Sequence, residues 1–290
     1  MTDTLNTELE LFAVLSDDVE AIQIPEKDAI VSALYTGLPL GVYTGMRTYK
    51  HNQFLHLEEH LTRLEESIAA LEWDYQLEKR ALRKALHHVC TGYKQSDARV
   101  RIDVLAAGEI RLTTGSRVLI SLSPYAPIPN SVYKNGVQVR IEAALPRSQP
   151  EVKKAEFAVT RRKYLERDPS TYECLITDAN GHILEGTTSN FYGVRNGVLW
   201  TPGFGVLEGI ARMIILNLAD AAHIPVRLNP ICVDDLPTLS ESALSSASRG
   251  LVPIVQIADQ TIGDGLPGPI SRKLIEAYRA YVIREIRTAV

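Results

Sequence analysis

Three prolines within six residues, in Pro124-Tyr125-Ala126-Pro127-Ile128-Pro129-Asn130, constrain this chain more than any other local feature. Each proline fixes φ and removes a backbone donor, so neither a helix nor an inner strand runs through such a segment. The outcome is a stiff, extended connector. At 290 residues the chain can bury two modest cores. The expected organisation is a small N-terminal α/β domain at 1–123, a connector at 124–132 and a larger domain at 133–290.

Periodicity fills in both sides. Residues 42–49 and 53–57 read as a strand pair around Lys50-His51-Asn52, and residues 1–30 carry no decisive pattern. Leu57, Leu61, Leu64, Ile68 and Leu71 recur at helical spacing with Glu58, Glu59, Glu65 and Glu66 outside, which predicts an amphipathic helix over 56–71. A second helix is expected at 77–90, then strands at 99–105, 110–114 and 118–123. Beyond the connector, strands are expected at 137–143, 174–177, 182–185, 190–194 and 198–201, the last two joined through Asn196-Gly197, a pair suited to a tight hairpin. Helices are expected at 155–166, 210–222 and 271–287. Without regular βαβ alternation the class is α+β rather than a doubly wound sheet.

Bulk properties exclude several functions. A net charge of -4 and a pI near 6.0 give no electrostatic reason to expect nucleic acid. Apolar runs such as 213–216 are far too short to cross a bilayer. Met1-Thr2-Asp3 opens on polar, acidic residues, unlike a secretory signal. Cys90, Cys174 and Cys232 are widely spaced with no CxxC pair, which suits reduced thiols in a cytoplasm and offers no metal site.

Chemistry concentrates in Gly181-His182-Ile183-Leu184-Glu185-Gly186-Thr187-Thr188-Ser189-Asn190. A turn at Asp178-Ala179-Asn180-Gly181 leads into a short strand that presents Glu185 from a rigid element, and Lys153 lies 32 positions upstream. An amine nucleophile and a distant carboxylate held in one pocket are what pyridoxal phosphate chemistry needs: the amine forms the Schiff base, and the carboxylate keeps the ring nitrogen protonated. Gly186 would let the backbone approach a ligand closely. On the decapeptide alone, a hairpin with a solvated glutamate is the plainer reading.

Five segments in order change that balance: Gly41-Val42-Tyr43-Thr44-Gly45-Met46-Arg47, His60-Leu61-Thr62-Arg63-Leu64, the 181–190 run, Leu207-Glu208-Gly209-Ile210-Ala211-Arg212, and Ser245-Ser246-Ala247-Ser248-Arg249-Gly250-Leu251-Val252-Pro253. Together they resemble the class IV, fold type IV, pyridoxal phosphate enzymes: branched-chain and D-amino-acid aminotransferases, (R)-amine transaminases and aminodeoxychorismate lyase. The resemblance spans roughly 30–285 and implies a two-domain α+β fold with the cofactor carried mainly by the larger domain. It implies Lys153 as the Schiff-base lysine, with Lys154 and Lys163 as weaker alternatives. It implies Glu185 as the partner of the ring nitrogen. Arg63, Gly209, Ile210, Ala211 and Ser248 fall where the family holds the cofactor, the first four at its phosphate. The catalytic lysine needs a depressed pKa, which burial and nearby cations supply. Tyr43 falls where the family lines its substrate pocket, and Arg47, Arg101, Arg111 and Arg249 are candidates for a substrate carboxylate, each equally able to be a salt-bridge residue.

Two departures bear on substrate. Phe157 stands near a position where many members carry tyrosine, and the arginine signatures of the branched-chain and D-amino-acid groups are not intact over 99–111. Ala211 also replaces a frequent threonine. The expected activity is transamination between an amino acid, with a preference for branched or apolar donors, and a 2-keto acid. Aminodeoxychorismate lyase and D-amino-acid or (R)-amine transaminase are the alternatives within the family, and a catalytically silent binding protein is the alternative outside it. A homodimer with a pocket completed by the partner is also implied.

Overall fold

The computed structural model describes residues 9–16, 18–24, 38–39, 41–107, 115–143, 145, 148–165, 168 and 170–289. It contains two compact units, Met1–Ala126 with Val152–Val159 and Glu285–Val290, and Pro127–Glu151 with Thr160–Arg284. The change of unit after Ala126 lies within the proline segment, but the units are not contiguous in sequence. Residues 152–159 return to the first because backbone hydrogen bonds hold them there: Tyr43 N–H donates to the Lys153 carbonyl at 2.9 Å and Ala155 N–H to that of Gly41 at 2.8 Å. The expected extension of the connector stops at Pro129, since a short helix begins at Asn130.

The first unit is built on an antiparallel sheet of β1 (Glu10–Val14), β2 (Val19–Ile22), β3 (Val42–Arg47), β5 (Ala98–Val104) and β6 (Val118–Pro124), in the order β2-β1-β6-β5-β3. The short β4 (Gln53–Phe54) pairs instead with Arg287–Thr288. The expected strands at 42–49 and 53–57 form as β3 and the two-residue β4, but they meet only at a bridge from Tyr49 to Gln53, across a turn with Lys50 and His51 at positive φ. The helix Leu57–Ala70 packs on β3 and buries Leu57, Leu61, Leu64 and Ile68 as its spacing predicts. It also buries His60, Arg63 and Ser67, which a solvated face would not do. The second helix is Lys79–Gly92, and the strand expected at 110–114 falls outside the described residues.

The second unit contains β7 (Val137–Glu142), β8 (Glu173–Thr177), β9 (His182–Gly186), β10 (Asn190–Arg195), β11 (Val198–Trp200), β12 (Val226–Arg227), β13 (Ile231–Cys232), β14 (Glu241–Ser246), β15 (Gly250–Ile257) and β16 (Gln260–Thr261). Six of these, β10-β14-β15-β7-β8-β9, form a closed circuit, because β9 pairs back to β10 through Glu185 and Asn190. Asn196 and Gly197 take positive φ in the β10–β11 turn as expected. The helix expected over 155–166 is two pieces, Ala155–Thr160 and Arg162–Leu165, on either side of the change of unit. Helices Ile210–Ala221 and Pro269–Glu285 complete this unit, the last residue of the second lying in the first unit. The segment at 245–253 is mostly strand, leaving only 247–249 as loop.

Candidate active site

In the first unit, β3 and the helix Leu57–Ala70 gather a polar cluster inside an apolar core. The Arg63 Nη2 donates to Thr44 Oγ1 at 2.9 Å, and Thr44 Oγ1 lies 2.7 Å from His60 Nδ1. The helix supplies His60 and Arg63 one turn apart, so both reach the same strand residue. Burial holds the His60 pKa well below that of a free imidazole, with the charges of Arg63, Lys153 and His56 adding to the effect. Burial likewise draws Arg63 down to about 10, still well above neutral pH.

A depressed histidine has a direct consequence for stability. The unfolded chain binds a proton at His60 below pH 6.5, and the folded chain refuses it until much lower pH. Stability from this group is thus fully present above pH 6.5 and is lost as pH falls below it. Thermal unfolding across that range should show a steep acid-side loss in the native protein and a shallower one in His60→Gln. Parallel pH curves would exclude His60 as a source of the loss.

Lys153 enters this unit on a segment bridged to β3, Val42 facing Lys154. Its Nζ lies 5.0 Å from the centroid of the Tyr43 ring, and the Arg101 guanidinium lies 4.1 Å from the same centroid. Arg101 is held by both oxygens of Asp103, at 2.8 and 2.6 Å, and that aspartate is only 1% exposed. Arg47 is similarly committed, 2.5 Å from Asp97 and stacked over Tyr125 and Tyr49.

In the second unit, Asp178 accepts backbone N–H groups from Asn180 and His182 at 2.9 Å, fixing the turn before β9. An extra residue in β9 forms a bulge, with Ile176 opposite Glu185 and Thr177 opposite Ile183. Bulges re-aim side chains, and this one immediately precedes the glutamate. Glu185 is 3% exposed and accepts the Leu207 N–H at 3.2 Å, while Asn190 Nδ2 donates to the Leu207 carbonyl at 2.8 Å. A solvated strand glutamate does not fit this burial. Leu207 thus ties Glu185 to the start of the helix Ile210–Ala221. That helix begins at Gly209 with no side-chain cap and no acidic residue in its first turn. Such an end favours anions.

The glycines have a reason other than ligand approach. A Cβ on Gly209 would lie 2.3 Å from Asn190 Oδ1, and one on Gly186 would lie 2.4 Å from Ser189 Oγ. Both positions are glycine because the protein packs its own side chains there. Ser248 and Arg249 lie on the 247–249 loop, and Arg249 contacts Glu173 and Thr188. Each described arginine proposed for a substrate carboxylate, Arg47, Arg101 and Arg249, is already matched to a carboxylate of this chain. Arg111 and the side chain of Lys163 fall outside the described residues.

Tyr43, Arg63, Arg101 and Lys153 thus come together in the first unit, and Glu185 with 209–211 in the second. Sequence reasoning missed Thr44, His60, Asn190 and Glu173. Asn190 ends the 181–190 run, and Thr44 and His60 stood inside the quoted segments. Glu173 had no local signal.

A family model described as Amino-transferase class IV matches residues 41–257, and the chain belongs to that family. A Methanocaldococcus jannaschii protein whose name assigns it provisionally to the branched-chain-amino-acid aminotransferases is 28% identical over 273 residues, covering 88% of this chain and 92% of that protein. A D-alanine aminotransferase of Staphylococcus aureus is 33% identical over 102 residues, 34% of this chain and 36% of its own length. The branched-chain amino acid aminotransferase of Thermobaculum terrenum, solved in its pyridoxal phosphate form, superposes with a TM-score of 0.77 at 19% identity, covering 99% of this chain and 100% of that one. At that identity the likeness establishes the fold, fold type IV, with its mixed helices and sheets.

Proposed function

We propose that this chain is a pyridoxal 5′-phosphate-dependent transaminase exchanging an amino group between an amino acid, branched-chain or otherwise apolar, and a 2-keto acid. The observation that carries it is Glu185: a buried carboxylate set by a bulge and a strand closure, tied through Leu207 to an uncapped helix start.

The residues present fit that cofactor. A buried guanidinium and an open helix N-terminus suit a phosphate, a buried carboxylate suits a ring cation, and a lysine amine suits a carbonyl. When bound, the cofactor supplies an electron sink for the charge left on the substrate α-carbon. Lys153 would hold the cofactor and move the proton at that carbon. Arg63 and the amides of Gly209, Ile210 and Ala211 would bind the phosphate, with the Ser248 hydroxyl joining them. Glu185 would keep the ring nitrogen protonated, and the buried Tyr43 would line the substrate side. Since Arg101, Arg47 and Arg249 are charge-matched, an apolar side chain on the donor is favoured over a second carboxylate.

The test is the spectral change of the bound cofactor on mixing with L-amino acids, D-amino acids and (R)-amines. Conversion by L-leucine, L-isoleucine or L-valine, reversed by a 2-keto acid, is expected. The S. aureus likeness gives the D-amino-acid arm its purpose. Pyruvate release from aminodeoxychorismate without any acceptor would make the chain a lyase, and no conversion by any amine would leave a silent binder.

Among the described residues no helix is long and apolar enough to cross a membrane. A cytoplasmic location is part of this proposal, supported by the wide spacing of the three cysteines without a CxxC pair. A homodimer is also part of it, supported by the family resemblance alone.

A further inference from the structure

Glu173, at the start of β8, is a carboxylate only 1% exposed that none of the roles above uses. It accepts the hydroxyls of Thr187 and Thr188, the Ser189 hydroxyl at 3.3 Å and the Cys174 N–H at 3.2 Å. Arg249 Nη2 lies 3.4 Å from it, also bonds the Thr188 hydroxyl, and Arg249 Nε donates to Ser246 Oγ at 2.8 Å. Burial opposes the Arg249 charge, but Glu173 and Tyr172 outweigh it and raise the pKa. Burying a carboxylate is costly unless donors surround it, and here they do.

Among the described residues those donors come from two places, beside the carboxylate's own neighbour Cys174. One is the turn at 187–189, which directly follows Glu185 and leads to Asn190. The other is the loop at 247–249, which carries Ser248. A Cβ on Gly186 would lie 3.1 Å from Glu173 Cγ, so the carboxylate stem lies directly against the Glu185 strand. From the turn the linkage runs through Asn190 to the Leu207 carbonyl and back from the Leu207 N–H to Glu185. Glu173 is the group that both segments share.

We propose that Glu173 is a positioning residue: it locks the 187–189 turn and, through Arg249, the 247–249 loop, so that Glu185 and Ser248 are presented in one geometry. The inference rests on the transaminase reading for what that geometry serves. Thr188→Val removes one hydroxyl, with its bonds to Glu173 and from Arg249, at nearly constant shape, Thr188→Ser restores both, and Glu173→Gln removes the charge.

Amide hydrogen exchange without cofactor should accelerate at 187–190 and 247–249 in Thr188→Val and not in Thr188→Ser. With cofactor, kcat should fall about tenfold in Thr188→Val and about 100-fold in Glu173→Gln, the cost of a misplacement on the order of 1 Å, while KM moves less than about threefold. The pH profile of the cofactor absorbance should shift alongside. Unchanged exchange at both segments in Thr188→Val overturns the positioning role, as does a lowered Tm with kcat and absorbance unaltered. If Glu173→Gln does not fold, the Thr188 pair decides. A native protein inert toward every amine removes the transaminase reading, and the exchange comparison then still decides whether Glu173 holds the two segments.

Discussion

Lys153→Ala is expected to abolish turnover, lowering it by about 10⁴-fold or more, since positioned proton transfer alone contributes up to about 10⁴ and the proposed function also has this residue hold the cofactor. Borohydride should fix pyridoxal phosphate to the peptide carrying Lys153 in the native protein and to no peptide in the variant. Lys154→Ala is the control, expected to retain both. The distinction has a structural basis. The segment is bridged to β3 at Lys154, whose N–H turns back onto the Val152 carbonyl at 3.0 Å. Lys153 has its Nζ 5.0 Å from the Tyr43 ring centroid, and its charge reaches buried His60. The backbone cannot slide to exchange the two lysines, because the Lys153 carbonyl and the Ala155 N–H are both taken by the strand at Gly41 and Tyr43. Cofactor fixed to Lys154 or Lys163 would transfer the role.

Glu185→Gln is expected to lower the rate of the amino-acid half-reaction by about 10²–10³-fold, the usual cost of removing one preorganised electrostatic partner. Cofactor affinity should change by only a few-fold. The amide is nearly isosteric and its carbonyl oxygen can still accept the Leu207 N–H, so the strand and the helix start stay in place. What is lost is the negative charge that keeps a ring nitrogen protonated. Single-turnover absorbance and equilibrium dialysis separate the two quantities. An unchanged half-reaction rate would remove Glu185 from the chemistry despite its burial.

Much of the frame is written locally. The leucine spacing at 57–68, the Asn196-Gly197 turn, the Asp178–Gly181 turn and the apolar helix after Gly209 all follow from short-range chemistry, and each takes its expected form. Glu185 was legible because its turn, strand and flanking residues lie in one run. Errors arose where long-range pairing overrides local pattern. The strands expected at 42–49 and 53–57 do not run on as a pair, because β3 lies along β5, from which it is separated by two helices.

By itself, then, the order of residues determined the class of fold, the family and the candidate lysine and glutamate, since these rest on periodicities and short motifs. Only the tertiary structure decided which charges are already spent. Arg101 meets Asp103 two residues along its own strand, whereas Arg47 and Arg249, indistinguishable as letters, each meet a carboxylate brought from elsewhere, Asp97 and Glu173. The same holds for His60 and Thr44, joined through Arg63 by a helix packing on a strand. Partners set by sheet register and helix packing leave no local trace, because their energies are made only when distant segments exclude water together.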